Sequence, residues 1–132
     1  PTKVVSRKGD DSKWKELPDY CPPLSILDHK KANPSWGKGG RLDVSQKDDV
    51  DQLHPQEREV CEVLRIEPQQ YLANKRRIFV ARLEQLHNPG KKGWNKTACQ
   101  QACGVDVNKS SQLFIIFDNL GWFEPQHFEK WL

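Results

Sequence analysis

Cys99 and Cys103 stand four residues apart, a spacing at which two thiols on one helical turn can hold a metal ion. No His or further Cys pair lies nearby to complete four ligands, so buried core thiols are the favoured reading and no metal is expected. The four histidines, His29, His54, His87 and His127, are scattered, and none stands near a Ser or Cys in a catalytic pattern. No paired carboxylates share an apolar helical face. Gly37-x-Gly39-Gly40 lacks the spacing and the preceding strand of a nucleotide-binding turn. Neither catalysis nor a cofactor is expected. A different chemistry fits the run Asn108, Lys109, Ser110, Ser111 and Gln112. Polar side chains at the start of a helix can reach base edges or phosphates, and Lys91, Lys92 and Lys96 nearby would supply phosphate attraction.

The elements that would position these residues are helical. His54-Pro55-Gln56-Glu57 opens a helix, with Pro in the first turn, where its missing N–H costs nothing, and Glu57 and Glu59 favourable to the dipole. Val60, Val63 and Leu64 form its buried stripe, with Cys61 beside it. Tyr71, Leu72, Lys75, Ile78, Phe79, Arg82, Leu83 and Leu86 follow at spacings of three and four and predict a long helix over 68–86, ended by Asn88-Pro89-Gly90. Lys75-Arg76-Arg77 falls on its other side, as a solvated face would; Arg77 is assigned to that face, and Arg76 is kept as a candidate DNA contact. Asn95 can cap a short helix over 96–103 that Gly104 ends, and Asp106 can cap a second over 107–120. A short helix, a tight turn and a longer helix with a polar start make a helix-turn-helix pattern. Pro125–Leu132 predicts a short last helix, and Trp122, Phe123, Phe128 and Trp131 form an aromatic cluster better suited to the core than to docking a partner.

The remainder of the chain is of another kind. Hydrophobic residues make up 36% of the 132, below the usual range of about 45–50%. The deficit lies before residue 53, where no period is sustained, and six of the nine prolines fall at or before Pro55. Residues 1–52 read as an irregular arm, with 1–11 frayed, 12–45 laid over the following domain and Asp48–Asp51 a solvated acidic link. Residues 53–132 read as the helical domain. The net charge is +3, yet Lys75–Lys109 holds eight basic residues against Glu84 and Asp106. No apolar run of about 18 residues exists to span a membrane, and no signal peptide is visible. A start at Pro suggests an excised fragment, and four cysteines are too few for a disulfide scaffold, which favours a reduced, intracellular setting.

Several of these features fall together in order. Glu59-Val60-Cys61-Glu62-Val63-Leu64-Arg65-Ile66, Pro68-x-x-Tyr71-Leu72-x-x-Lys75, Ala98-Cys99-Gln100-Gln101-Ala102-Cys103 and Asp106-Val107-Asn108-Lys109-Ser110, closing on Leu120-Gly121-Trp122, resemble a SWIRM domain. The nearest flavour is that of the adaptors of SAGA-type acetyltransferase complexes. Asp19-Tyr20-Cys21-Pro22-Pro23, Trp36-Gly37 and Lys75-Arg76-Arg77-Ile78-Phe79 resemble related fungal SWIRM proteins. The resemblance implies an all-α fold: a bundle around one long central helix, with a helix-turn-helix (winged-helix-like) C-terminal part. It implies a nuclear, non-enzymatic chromatin module acting with double-stranded DNA or the nucleosome and with subunits of a histone acetyltransferase or deacetylase complex, monomeric as an isolated domain. Asn108, Lys109, Ser110 and Gln112 match the DNA-reading helix, and Lys91, Lys92 and Lys96 a phosphate-contacting position. The rival reading is a protein-docking module whose basic patch is incidental, which the modest net charge favours. A histone-tail binder would want an acidic groove that the C-terminal region does not offer.

Overall fold

The computed structural model describes the backbone of residues 5–6 and, in full, residues 8–37 and 39–132. A two-residue hairpin comes first: β1 (Val5–Ser6) pairs antiparallel with β2 (Gly9–Asp10), in the register Val5 with Asp10 and Ser6 with Gly9. Short 3-10 turns follow at Asp11–Glu16, Leu24–Asp28 and Val50–Gln52. Among the described residues four α-helices make the body: α1 (Pro55–Leu64), α2 (Pro68–His87), α3 (Lys96–Ala102) and α4 (Val107–Asn119). A last 3-10 turn, Pro125–Trp131, closes the chain. The fold is all-α around one long helix.

Local chemistry starts and stops these helices. His54 Nδ1 accepts from Gln56 N at 3.1 Å and Glu57 Oε1 accepts from His54 N at 3.2 Å, so two of the orphan donors at the start of α1 are satisfied. Arg65 ends α1 in the left-handed conformation at φ 57°. Asn95 Oδ1 caps α3 through Ala98 N at 2.9 Å, and Asp106 Oδ1 caps α4 through Lys109 N at 2.9 Å.

The core collects around Phe79 of α2. Its ring centroid lies 5.4 Å from Phe117, 5.5 Å from Phe123, 6.0 Å from Trp122 and 6.2 Å from Phe128. The terminal aromatics expected at the core are there: Trp122, Phe123 and Phe128 are buried and Trp131 half-buried. Each such ring removes about 150–250 Å² from water, which makes this cluster the main hydrophobic mass. The arm adds Trp14, Leu27, Ala32 and Val44, all buried.

Four sequence expectations are corrected by the structure. Lys75 is not on a solvated face: it is buried, with Nζ 2.8 Å from Glu57 Oε2 and 4.9 Å above the Trp122 ring. The same Glu57 oxygen accepts from Tyr71 OH at 2.6 Å, so one carboxylate both caps α1 and ties it to α2. Burial, reinforced by that carboxylate, pushes the Tyr71 hydroxyl well above its usual range and keeps it a donor. Arg77 does not solvate α2 either, because Nη1 sits 2.8 Å from Asp11 Oδ1, a carboxylate sealed from water. Asp11 and the β1/β2 pairing thereby replace part of the stretch expected to fray; Pro1–Val4 and Arg7 lie outside the described residues. The acidic link is not wholly solvated, since Asp49 Oδ2 accepts from Trp14 Nε1 at 2.8 Å and Gln69 Nε2 at 2.9 Å.

Candidate nucleic-acid interface

The stretch that the sequence reads as a helix-turn-helix consists of α3, the turn Cys103–Asp106 and α4. Its turn is fastened to the central helix: Asn74, fully buried, accepts from Gly104 N through Oδ1 at 2.6 Å. Gln100 Nε2 donates to Ser111 Oγ at 2.8 Å and joins the two helices directly. Cys99 and Cys103 are buried beneath them, where the hydrogen bond to Cys103, then burial, holds the Cys99 thiol far above its ordinary range. These are core thiols. Among the described residues no three His, Cys, Asp or Glu side chains gather as metal ligands.

The outer face of α4 carries Val107, Asn108, Ser111, Gln112 and Ile115, at helical spacing and at least partly exposed. Asn108 is exposed and Gln112 partly exposed on this face. Lys109 leans the other way, Nζ donating to the carbonyl of Arg65 at 3.0 Å, while still partly exposed. Ser110 is a correction. It is fully buried and its hydroxyl donates to Val107 O at 3.0 Å, because its helix position faces the core, so it cannot touch a duplex.

Arg76 is the second correction. Its Nη1 donates to Leu17 O at 2.9 Å and lies 3.4 Å from Lys15 O and 3.5 Å from Trp14 O. The guanidinium stacks 4.8 Å from the Trp14 ring centre. It binds the arm, as a planar fork of donors suits a cluster of carbonyls. Arg82 is consumed likewise, donating from Nε at 3.0 Å and Nη2 at 2.8 Å to Phe123 O. Of the eight basic residues in Lys75–Lys109, the four on α2 are therefore structural. Lys91, Lys92 and Lys96 are exposed and, among the described residues, make no ion pair. Composition could not separate the two groups, since the carbonyls and carboxylates that engage the α2 cations come from distant parts of the chain.

Beside α4 lies an element that sequence reasoning did not assign to the site. Trp36, half-buried, forms with Ser35 and Gly37 one wall of an open cleft of about 500 Å³, the other wall being Asn108, Ser111 and Gln112. No regular period marks the arm, so only the fold could bring Trp36 to the start of α4.

Comparison with known proteins agrees with this architecture. The SWIRM domain family profile matches residues 43–125. The SWIRM domain-containing protein YOR338W of Saccharomyces cerevisiae is 41% identical over 124 residues, covering 90% of this chain and 33% of that protein. The SWIRM domain-containing protein laf1 of Schizosaccharomyces pombe is 41% identical over 114 residues, 82% of this chain and 37% of its own. Transcriptional adapter 2 of Candida albicans is 36% identical over 81 residues, 61% of this chain and 17% of its own. The chain thus spans about a third of the first two relatives. No solved structure matches it. With the matched residues covering all four helices and the turn that Asn74 fastens, the chain belongs to the SWIRM domain family.

Proposed function

We propose that this domain is a non-enzymatic nuclear chromatin module that binds double-stranded DNA with little sequence selectivity, within a histone-modifying or transcription regulatory complex. The observation that carries the reading is the helix-turn-helix itself. Asn108 and Gln112 are presented at the start of α4, and Lys91, Lys92 and Lys96 stand exposed before and at the start of α3. Cations next to a polar helix start are what phosphate contact and groove entry require. The similarity to a transcriptional adapter supports the setting. An anisotropy titration with a random duplex tests it, comparing wild type with Lys91→Ala/Lys92→Ala and with Asn108→Ala. Binding at low salt that weakens in both variants is expected. Absence of binding at low salt would sink the reading.

A second reading has its own support. Half the cations of Lys75–Lys109 are engaged inside the fold, which lowers the field available to DNA. On that reading the α4 face docks a subunit of the complex, and a pull-down from nuclear extract would recover that subunit with wild type and lose it with Gln112→Ala.

A further inference from the structure

A second basic stretch lies in the arm, outside the residues the family profile matches. From His29 to Leu42 the sequence holds Lys30, Lys31, Lys38 and Arg41 and no acidic residue. The fold clamps this stretch at both ends. At the first, Gln56 Oε1 accepts from Ala32 N at 2.7 Å and Gln56 Nε2 donates to Lys30 O at 2.6 Å. At the second, Arg65 Nη1 donates to Gly40 O at 2.6 Å and Leu42 N to Glu62 O at 2.9 Å. Arg65 also accepts Lys109 Nζ through its carbonyl, so one residue fastens the loop end and α4 together.

Between the clamps Trp36 is a ridge with a cleft on either side. One cleft is shared with Asn108, Ser111 and Gln112; the other, of about 320 Å³, is lined by Gly39, Gly40, Arg41 and Val63. Arg41 reaches Glu59 and Glu62 only at 3.7 Å and its side chain is 61% exposed, an arrangement that leaves it open to a stronger anion. Gly37 and Gly40 have nothing within 4 Å of where a Cβ would be, so a backbone can approach closely.

We infer that the clamped loop, at its described residues 30–37 and 39–41, is a second DNA-contacting element, with Trp36 and Arg41 continuing the α4 face so that a duplex phosphate backbone crosses the Trp36 ridge. The inference rests on the DNA reading above and deepens it. The charge pattern commits the occupant to a polyanion. The amides of Asn108 and Gln112, which both donate and accept, suit phosphate and base edges together.

Salt dependence separates the two claims. Contacts from Lys91, Lys92 and Lys96 alone give a slope of log K against log salt of about −2.7, whereas adding Lys30, Lys31 and Arg41 brings it to about −5.4. The expected result is the steeper slope for wild type, flattened by about 2 or more in Lys30→Gln/Lys31→Gln/Arg41→Gln. Trp36→Phe should lose the DNA-dependent change in tryptophan emission that wild type shows, without any need for the ring to be removed from its packing. If wild type binds, and Lys91→Ala/Lys92→Ala weakens it, but the arm variants keep the wild-type slope and emission change, the inference fails and the DNA reading stands. If wild type does not bind duplex at all, both fail. If polyglutamate of matched charge displaces the duplex as well as unlabelled duplex does, the loop is an acidic-protein site and the inference is overturned.

Discussion

Asn74 on the central helix and Gly104 in the helix-turn-helix are joined by a hydrogen bond of 2.6 Å, 30 residues apart in the chain. Asn74 also donates from Nδ2 to Gln70 O at 2.7 Å and accepts from Arg77 Nη1 at 3.2 Å. A single buried amide therefore sets how the turn sits on α2, and with it the direction in which α4 faces outward. Replacing it by Leu strands the Gly104 N–H and should cost about 1–3 kcal/mol. Chemical denaturation will show that loss. The Gly104 amide should also exchange with solvent much faster by hydrogen-exchange NMR, which a purely global loss of stability would not single out.

Glu57 and Lys75 form an ion pair in which both side chains are nearly fully buried. Glu57→Gln leaves Lys75 charged and without its partner, and should destabilise by about 3–5 kcal/mol. The double variant Glu57→Gln/Lys75→Met should recover part of that loss, since no buried charge then stands alone. Urea denaturation of these two variants and of Lys75→Met completes the cycle; a double-variant cost equal to the sum of the two single costs would show that the pair is not coupled.

Acid sensitivity has a specific source at the arm. Hydrogen bonds from Trp14, then Gln69, hold the Asp49 carboxyl below its usual value. A carboxyl lowered on folding stabilises the protein above its unfolded pKa of about 3.9, and that contribution is lost as pH falls through the folded value. Asp49→Asn should therefore lower stability at neutral pH and flatten the decline of Tm below about pH 4. An unchanged acid slope would exclude this origin.

Cys21 has its thiol pushed up to about 12, mainly by desolvation, with Lys75 opposing the shift and Asp19 adding to it. Little thiolate forms at pH 8, and thiolate is the reactive species. Iodoacetamide should modify folded protein slowly at all four cysteines, and Arg76→Ala should accelerate Cys21 selectively by loosening the arm from α2. Mass spectrometry of the alkylated peptides reads the ratio.

The four helices and their caps were legible in the sequence because they depend on neighbours. Pro55, Pro68, Asn95 and Asp106 act on groups within a few residues, and the stripe along α2 repeats at the helical period. The polar start of α4 was legible for the same reason, and so were the exposed lysines before it. Ser110 shows the limit, because one helical step separates a face that meets solvent from one that meets the core.

What the tertiary structure decided is which charges remain outside. Lys75, Arg76, Arg77 and Arg82 count with Lys91, Lys92 and Lys96 in any composition, yet their partners are Glu57, the Leu17 carbonyl, Asp11 and the Phe123 carbonyl, between 18 and 66 residues away. Trp36 reaches α4 across a still longer separation, with no periodicity to announce it. A cap or a helical stripe is fixed by bonds a few residues long. Pairing a charge, or setting an aromatic beside a helix, depends on chain closure over tens of residues, and only the packed fold specifies which of the many sequence-compatible partners is met.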